Sequence, residues 1–175
     1  MRVLVTGGVR SGKSRHAESL LTGPVTYLAP GPVHDDDDDD WAARIAAHRA
    51  RRPADWTTVE SHDLVGVLAR TDGHLMVDCL GTWLTAVLDD RRLWDAAADE
   101  ITGVIGRIVD EAVDVLGVRD QGEDTVLVTN EVGLGVVPEH RSGRLFRDLL
   151  GLVNQRVAAA CDEVHLVIAG RVARL

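Results

Sequence analysis

The chain has 175 residues, 45% apolar and 27% charged, with a formal net charge of −9. That length fits one domain spanning 1–175, and a chain of roughly 100–200 residues buries roughly two-thirds of its unfolded surface, so no disulfide or metal staple is needed. Its acidity and six aromatics exclude nucleic acid as a first partner, and Cys79 and Cys161, without CxxC spacing, exclude zinc fingers and disulfide scaffolds and fit a reducing cytoplasm.

Residues 2–6, Arg-Val-Leu-Val-Thr, read as a short buried strand, followed by a glycine-bounded loop from Gly7 to Ser14 and then a helical pattern. A second apolar run, Val25–Ala29, is entered through Gly23-Pro24 and left through Pro30-Gly31-Pro32. Asp35–Asp40 reads as a solvated charge run whose last members cap the helix expected over 41–52, which stops before Pro53. A short strand follows at 56–60, then a helix capped by Ser61 and running to Arg70, and a buried strand over 74–80. Helical pattern with uncertain subdivisions occupies 82–117, ahead of a strand at 125–129, a helix at 145–160 and a last strand at 164–169. No run reaches about 18 apolar residues, so no signal peptide or membrane span is expected. Apolar strands alternating with helices imply a mostly parallel sheet with helices on both faces.

Rare residue types mark chemistry here. Of nineteen basic residues eighteen are Arg, leaving Lys13 alone, and Asn occurs only as Asn130 and Asn154. Gly7-Gly8-Val9-Arg10-Ser11-Gly12-Lys13-Ser14 satisfies the phosphate-loop pattern G-x-x-x-x-G-K-S/T, between strand and helix as that motif requires. Its glycines let backbone N–H groups turn around phosphate oxygens, Lys13 would bridge the β- and γ-phosphates, and the Ser14 hydroxyl would bind Mg²⁺. The other reading is a chance match in a glycine-rich turn. Asp78 closes an apolar run where such proteins place a carboxylate beside metal or ligand, although it equally marks a strand end. His48 lies on the Trp41, Arg44, Ile45 stripe of its helix and fits a packed histidine. Its neighbours Arg49, Arg51 and Arg52 fit either dipole compensation or neutralisation of a triphosphate before a nitrogen nucleophile approaches phosphorus. The segment 128–139, with Asn130, Glu131 and two glycines, reads as a loop on the same edge.

Four stretches together resemble a known family. They are Thr6-Gly-Gly-Val-Arg-Ser-Gly-Lys-Ser-Arg15, Ala43 to Pro53 with Trp56 and Glu60, Val128 to Glu139, and Phe146-Arg147-Asp148 leading to Val153-Asn-Gln-Arg156. The chain resembles, nearly end to end, the bifunctional adenosylcobinamide kinase/adenosylcobinamide-phosphate guanylyltransferases of cobalamin biosynthesis. The resemblance implies a P-loop, RecA-like α/β domain and a homotrimer. It further implies phosphorylation of adenosylcobinamide by ATP or GTP, followed by transfer of GMP from GTP through a GMP adduct of His48. By the same carry-over Gly7 to Ser14, Ala29, Pro30, Gly31, Arg49, Ala50, Arg51, Arg52, Glu60 and Asp78 contact GTP. The chain departs from the pattern at Ala47, where some members have a second histidine, at Pro30, which replaces a hydroxyl residue, and at Asp78, where glutamate is frequent. The remaining readings are a plain P-loop kinase that never guanylylates itself and a GTP-binding regulator without catalysis.

Overall fold

A computed structural model describes residues 1–31, 52–119 and 122–175. Among these, seven strands form one sheet in the order β3-β2-β4-β5-β1-β6-β7. The strands are β1 (Arg2–Gly7), β2 (Val25–Ala29), β3 (Thr57–Glu60), β4 (His74–Asp78), β5 (Thr125–Val128), β6 (Glu163–Ile168) and β7 (Arg171–Arg174). The helices are α1 (Lys13–Ser19), α2 (Leu64–Arg70), α3 (Leu80–Asp90), α4 (Ala98–Val118) and α5 (Arg141–Ala159). Every pairing is parallel except β6 with β7, as the continuous apolar strands predict.

Side-chain alternation along the strands divides the core between the two faces of the sheet. Leu4, Leu28, Leu75, Val77 and Leu127 point to one face, where the apolar stripes of α2, α3, α4 and α5 cover them, with Trp83 fully buried. Val3, Val5, Tyr27, Met76, Val126 and Val128 point to the other and meet Ala17 of α1 and Leu21. Truncating Trp83 to alanine would cost about 3–5 kcal/mol in lost burial and cavity.

Several boundaries differ from expectation, each for a local reason. Asp63, not Ser61, caps α2, because its carboxylate accepts the Gly66 N–H at 2.9 Å while Ser61 Oγ accepts from Asp63 itself. β4 ends at Asp78 rather than 80, since Cys79 and Thr82 form a reciprocal cap that starts α3. The helical pattern over 82–117, whose subdivisions the sequence leaves open, resolves into two helices parted at Arg92, whose φ of 51° breaks the run, rather than at any of its glycines. Helix α5 begins four residues before the expected position 145: Arg144 donates to the carbonyls of Pro138 and Glu139, and Arg141 to those of Trp94 and Ala96. β7 was not expected at all. It forms because Ala169 and Gly170, both at positive φ, turn the chain back on β6, and Ala-Gly is a weak turn signal beside Asn-Gly. The Asp35–Asp40 run and most of the helix expected over 41–52 lie outside the described residues.

Candidate nucleotide site

Parallel strands end together, so the carboxyl edge of the sheet collects the loops that follow them. β1 ends at Gly7 and runs into the phosphate loop; β2 ends at Ala29, paired with Glu60 at the end of β3; and Asp78 at the end of β4 is level with Val128 of β5. Gly7 to Ser14, Ala29 to Gly31, Glu60 and Asp78 therefore share one edge; the motif and the apolar run lead one to expect this of the loop and Asp78, and the family resemblance alone pointed to the others. His48, Arg49, Ala50 and Arg51 lie outside the described residues.

The phosphate loop is shaped by its backbone. A Cβ on Gly7 would stand 2.4 Å from the Val167 carbonyl oxygen, so only glycine permits this approach of β1 to β6. Gly12 takes a φ of 97°, a conformation that strains other residues, and starts α1 by accepting the His16 N–H at 3.0 Å. Ser11 N–H donates to Gly8 O at 3.3 Å, and Lys13 Nζ reaches back to the same carbonyl at 3.3 Å. That bond is long for an ammonium donor, so the lysine is free to exchange it for a better acceptor. Thr6 Oγ1 and Ser11 Oγ are buried without a hydrogen-bond partner among the described residues, which costs about 1–3 kcal/mol each, and they lie at the root of the loop.

Asp78 accepts a hydrogen bond from Tyr27 Oη at 2.9 Å. Burial, then the charge of Asp78, pushes the tyrosine hydroxyl far up from its usual value, so it stays a neutral donor. Arg52 lies over the Tyr27 ring with its guanidinium carbon 3.4 Å from the centroid, and its Nη1 donates to Thr58 Oγ1 at 2.7 Å. Trp56 tilts against the same ring at 6.4 Å. Tyr27 was not singled out from the sequence, although it is the chain's sole tyrosine. Its alternation with Val25 along β2, which puts both on one face of the sheet, is the signal that could have found it.

The segment after β5 is tied to the phosphate loop from both sides. Glu131 N–H donates to Gly7 O at 3.2 Å, and Thr129 N–H to Val5 O at 2.9 Å. Asn154 of α5 accepts from Thr129 Oγ1 at 2.6 Å and donates to Asn130 O at 3.1 Å. The two asparagines of the chain thus meet each other. Leu134, Val136 and Val137 beyond them are exposed.

Among the described residues no group of three or more His, Cys, Asp or Glu could hold a metal, and no helix is long and apolar enough to cross a membrane. Both thiols are poorly ionised: burial raises Cys79 and pushes Cys161 up to about 12.

Residues 3–175 match the family model described as "Cobinamide kinase / cobinamide phosphate guanyltransferase". The chain is 43% identical over 97% of both chains to the bifunctional adenosylcobalamin biosynthesis protein CobU of Salmonella typhimurium. It is 36% identical to the bifunctional adenosylcobalamin biosynthesis protein CobP of Pseudomonas aeruginosa, over 97% of this chain and 94% of the relative. Among solved structures, an ATPase from the type III secretion system of pathogenic bacteria superposes with a TM-score of 0.52 at 10% identity, over 94% of this chain. The chain spans about half that ATPase's length (50%), and the likeness shows the fold alone.

Proposed function

The chain belongs to the cobinamide kinase/cobinamide phosphate guanyltransferase family, and from that membership we propose how its residues divide two reactions at one nucleotide edge. In the first, the aminopropanol hydroxyl of adenosylcobinamide attacks the γ-phosphorus of a nucleoside triphosphate, loses its proton and releases the diphosphate. In the second, a ring nitrogen of His48 attacks the α-phosphorus of GTP and pyrophosphate leaves. A phosphate oxygen of adenosylcobinamide phosphate then attacks the phosphorus of the GMP adduct, the P–N bond breaks, and adenosylcobinamide-GDP is released.

The observation that carries this reading is the convergence of the phosphate loop, Ala29 to Gly31, Glu60 and Asp78 on the carboxyl edge. Lys13, the one lysine, neutralises β- and γ-phosphate charge, and the loop's N–H groups hold the phosphate oxygens. Arg49, Ala50, Arg51 and Arg52 adjoin His48 in sequence and complete the phosphate contacts. Ser14 makes no side-chain hydrogen bond among the described residues, and its hydroxyl with the Asp78 carboxylate offers the oxygen donors that a hard cation takes. These two would hold Mg²⁺ together with the phosphates, and the ion when bound supplies further charge neutralisation there. The assembly we infer is a homotrimer in the cytoplasm, with a particle three times the 18.9 kDa chain mass by light scattering.

Incubation with α-labelled GTP tests the covalent step. The wild type should take up label that acid removes and base does not, as a phosphoramidate behaves. His48→Ala should take up none, yet still phosphorylate the cobinamide hydroxyl, because γ-phosphoryl transfer needs positioning rather than a histidine adduct. Label on His48→Ala would mean a different nucleophile, and none on the wild type would leave only a kinase or a GTP-binding protein.

A further inference from the structure

A chain of titratable side chains centred on the buried His165 lies behind the phosphate loop and takes no part in the chemistry above. His165 on β6 is 1% exposed, with Nε2 2.7 Å from Glu163 Oε2 and Nδ1 2.9 Å from His16 Nε2. The hydrogen bond from His165 holds the Glu163 carboxyl below its usual range, and Arg174 Nη1 stands 3.9 Å from the same oxygen. A carboxylate only accepts, so Nε2 of His165 carries the proton and Nδ1 is left as the acceptor. His16 must then donate from Nε2.

His16 belongs to α1, one turn beyond Lys13 and Ser14. A helix of seven residues has little stability of its own, so tertiary contacts set where it lies. The β6–β7 hairpin makes three contacts with the phosphate loop and this helix. Val167 O fits against Gly7, Gly170 N–H donates to Ser11 O at 2.8 Å, and His165 meets His16. The first two are backbone contacts that survive substitution. The third is the side-chain contact that reaches the helix itself.

We propose that His165, its tautomer set by Glu163, is a positioning residue that holds α1 through His16 and thereby places Lys13 and Ser14 against the triphosphate. The proposal rests on the phosphate-loop reading given above. It predicts a loss in ground-state binding of the phosphates rather than in the transfer step, since His165 touches no reacting atom.

The experiment compares GTP affinity by calorimetry, and KM and kcat of the kinase reaction, across variants confirmed as folded by circular dichroism. His165→Phe, which keeps the volume but offers no acceptor, should raise both the GTP Kd and the triphosphate KM by roughly tenfold, with kcat within about twofold. His16→Ala should do the same, and the double variant should be no worse than either single one, because they remove one interaction. His16→Gln, whose amide can donate to Nδ1, should come back to within about threefold of wild type. Ring ¹⁵N shifts of His165 should report the Nε2–H tautomer. Unchanged GTP affinity in folded His165→Phe and His16→Ala, additive losses, or an Nδ1–H tautomer would overturn the proposal. If His165→Phe does not fold, His16→Ala, at the partly exposed end of the same bond, decides alone. Lys13→Ala runs alongside. Should it also bind GTP normally, the phosphate-loop reading itself fails; should it lose binding while the histidine variants keep it, only the positioning role fails.

Discussion

Arg52 shows how one side chain can answer to both the fold and the ligand. Its sequence context, beside Arg49 and Arg51, fits either the helix dipole or a phosphate, and the proposed function gives it to phosphate. The structure lays its guanidinium on the Tyr27 ring and bonds Nη1 to Thr58, while Nε is buried with no hydrogen-bond partner among the described residues. Five N–H donors leave capacity for a phosphate oxygen as well. A cation–π contact is worth about 0.5–1 kcal/mol when exposed and about 2 when desolvated, so Arg52→Ala should lower stability in urea by about 0.5–2 kcal/mol besides weakening GTP binding. Arg52→Lys keeps the charge but not the flat stacking surface, and it should recover only part of the stability. An Arg52→Ala protein that unfolds at the wild-type urea concentration would confine Arg52 to the ligand.

At the scale of elements, the contact between α5 and the end of β5 governs how the 130–139 segment meets the phosphate loop. Asn154 satisfies Thr129 Oγ1 and the Asn130 carbonyl at once, and the next N–H, of Glu131, donates to Gly7 O. Asn154→Leu keeps the volume and leaves both polar groups unpaired, which costs about 1–3 kcal/mol. Amide hydrogen exchange should quicken over 130–138 while β4 exchanges as before, because the change releases a loop rather than the sheet. Wild-type exchange and stability in Asn154→Leu would mean that backbone bonds alone hold the segment. The same two asparagines stand out in the sequence as rare types, yet rarity says nothing of their meeting.

The pH dependence of stability belongs to the whole molecule. Burial first, then the nearby His165 and Arg174, lowers the pKa of His16. A histidine with a lowered folded pKa stabilises fully above its unfolded value of about 6.5 and loses that contribution as pH falls below it, because the unfolded chain then binds the proton more readily. The carboxyl groups of Asp63, held down by the Gly66 N–H and Arg70, and of Asp162, held down by Arg2, have the same sign but act below about pH 4. Cys161, pushed up to about 12, acts on the alkaline side, where the unfolded chain ionises its thiol from about pH 8.5 upward. Urea midpoints should therefore form a plateau from about pH 6.5 to 8.5 and fall on either side. His16→Gln should flatten the step between about pH 7 and 5. A variant that falls as steeply as wild type over that interval would remove His16 from the account.

What the sequence determined by itself is what a few neighbouring residues can encode. Local sequence pattern announced all six parallel strands with boundaries within two residues, and the strand-to-helix glycine loop with the sole lysine announced the phosphate site. The place of Asp78 at the strand edge followed from its apolar run, whereas Ala29 and Glu60 were drawn to the site only by the family resemblance. The tertiary structure alone decided the rest. β7 exists because Ala169 and Gly170 take positive φ and β6 offers a free edge; Arg52 stacks on Tyr27 because β2 and the 52–56 segment are brought side by side; and His16 meets His165 across 149 residues. Such contacts depend on strand order, register and the closing of long loops, none of which leaves a periodic mark in the chain, whereas a helix turn or a phosphate loop is specified by residues within reach of one another before the protein folds.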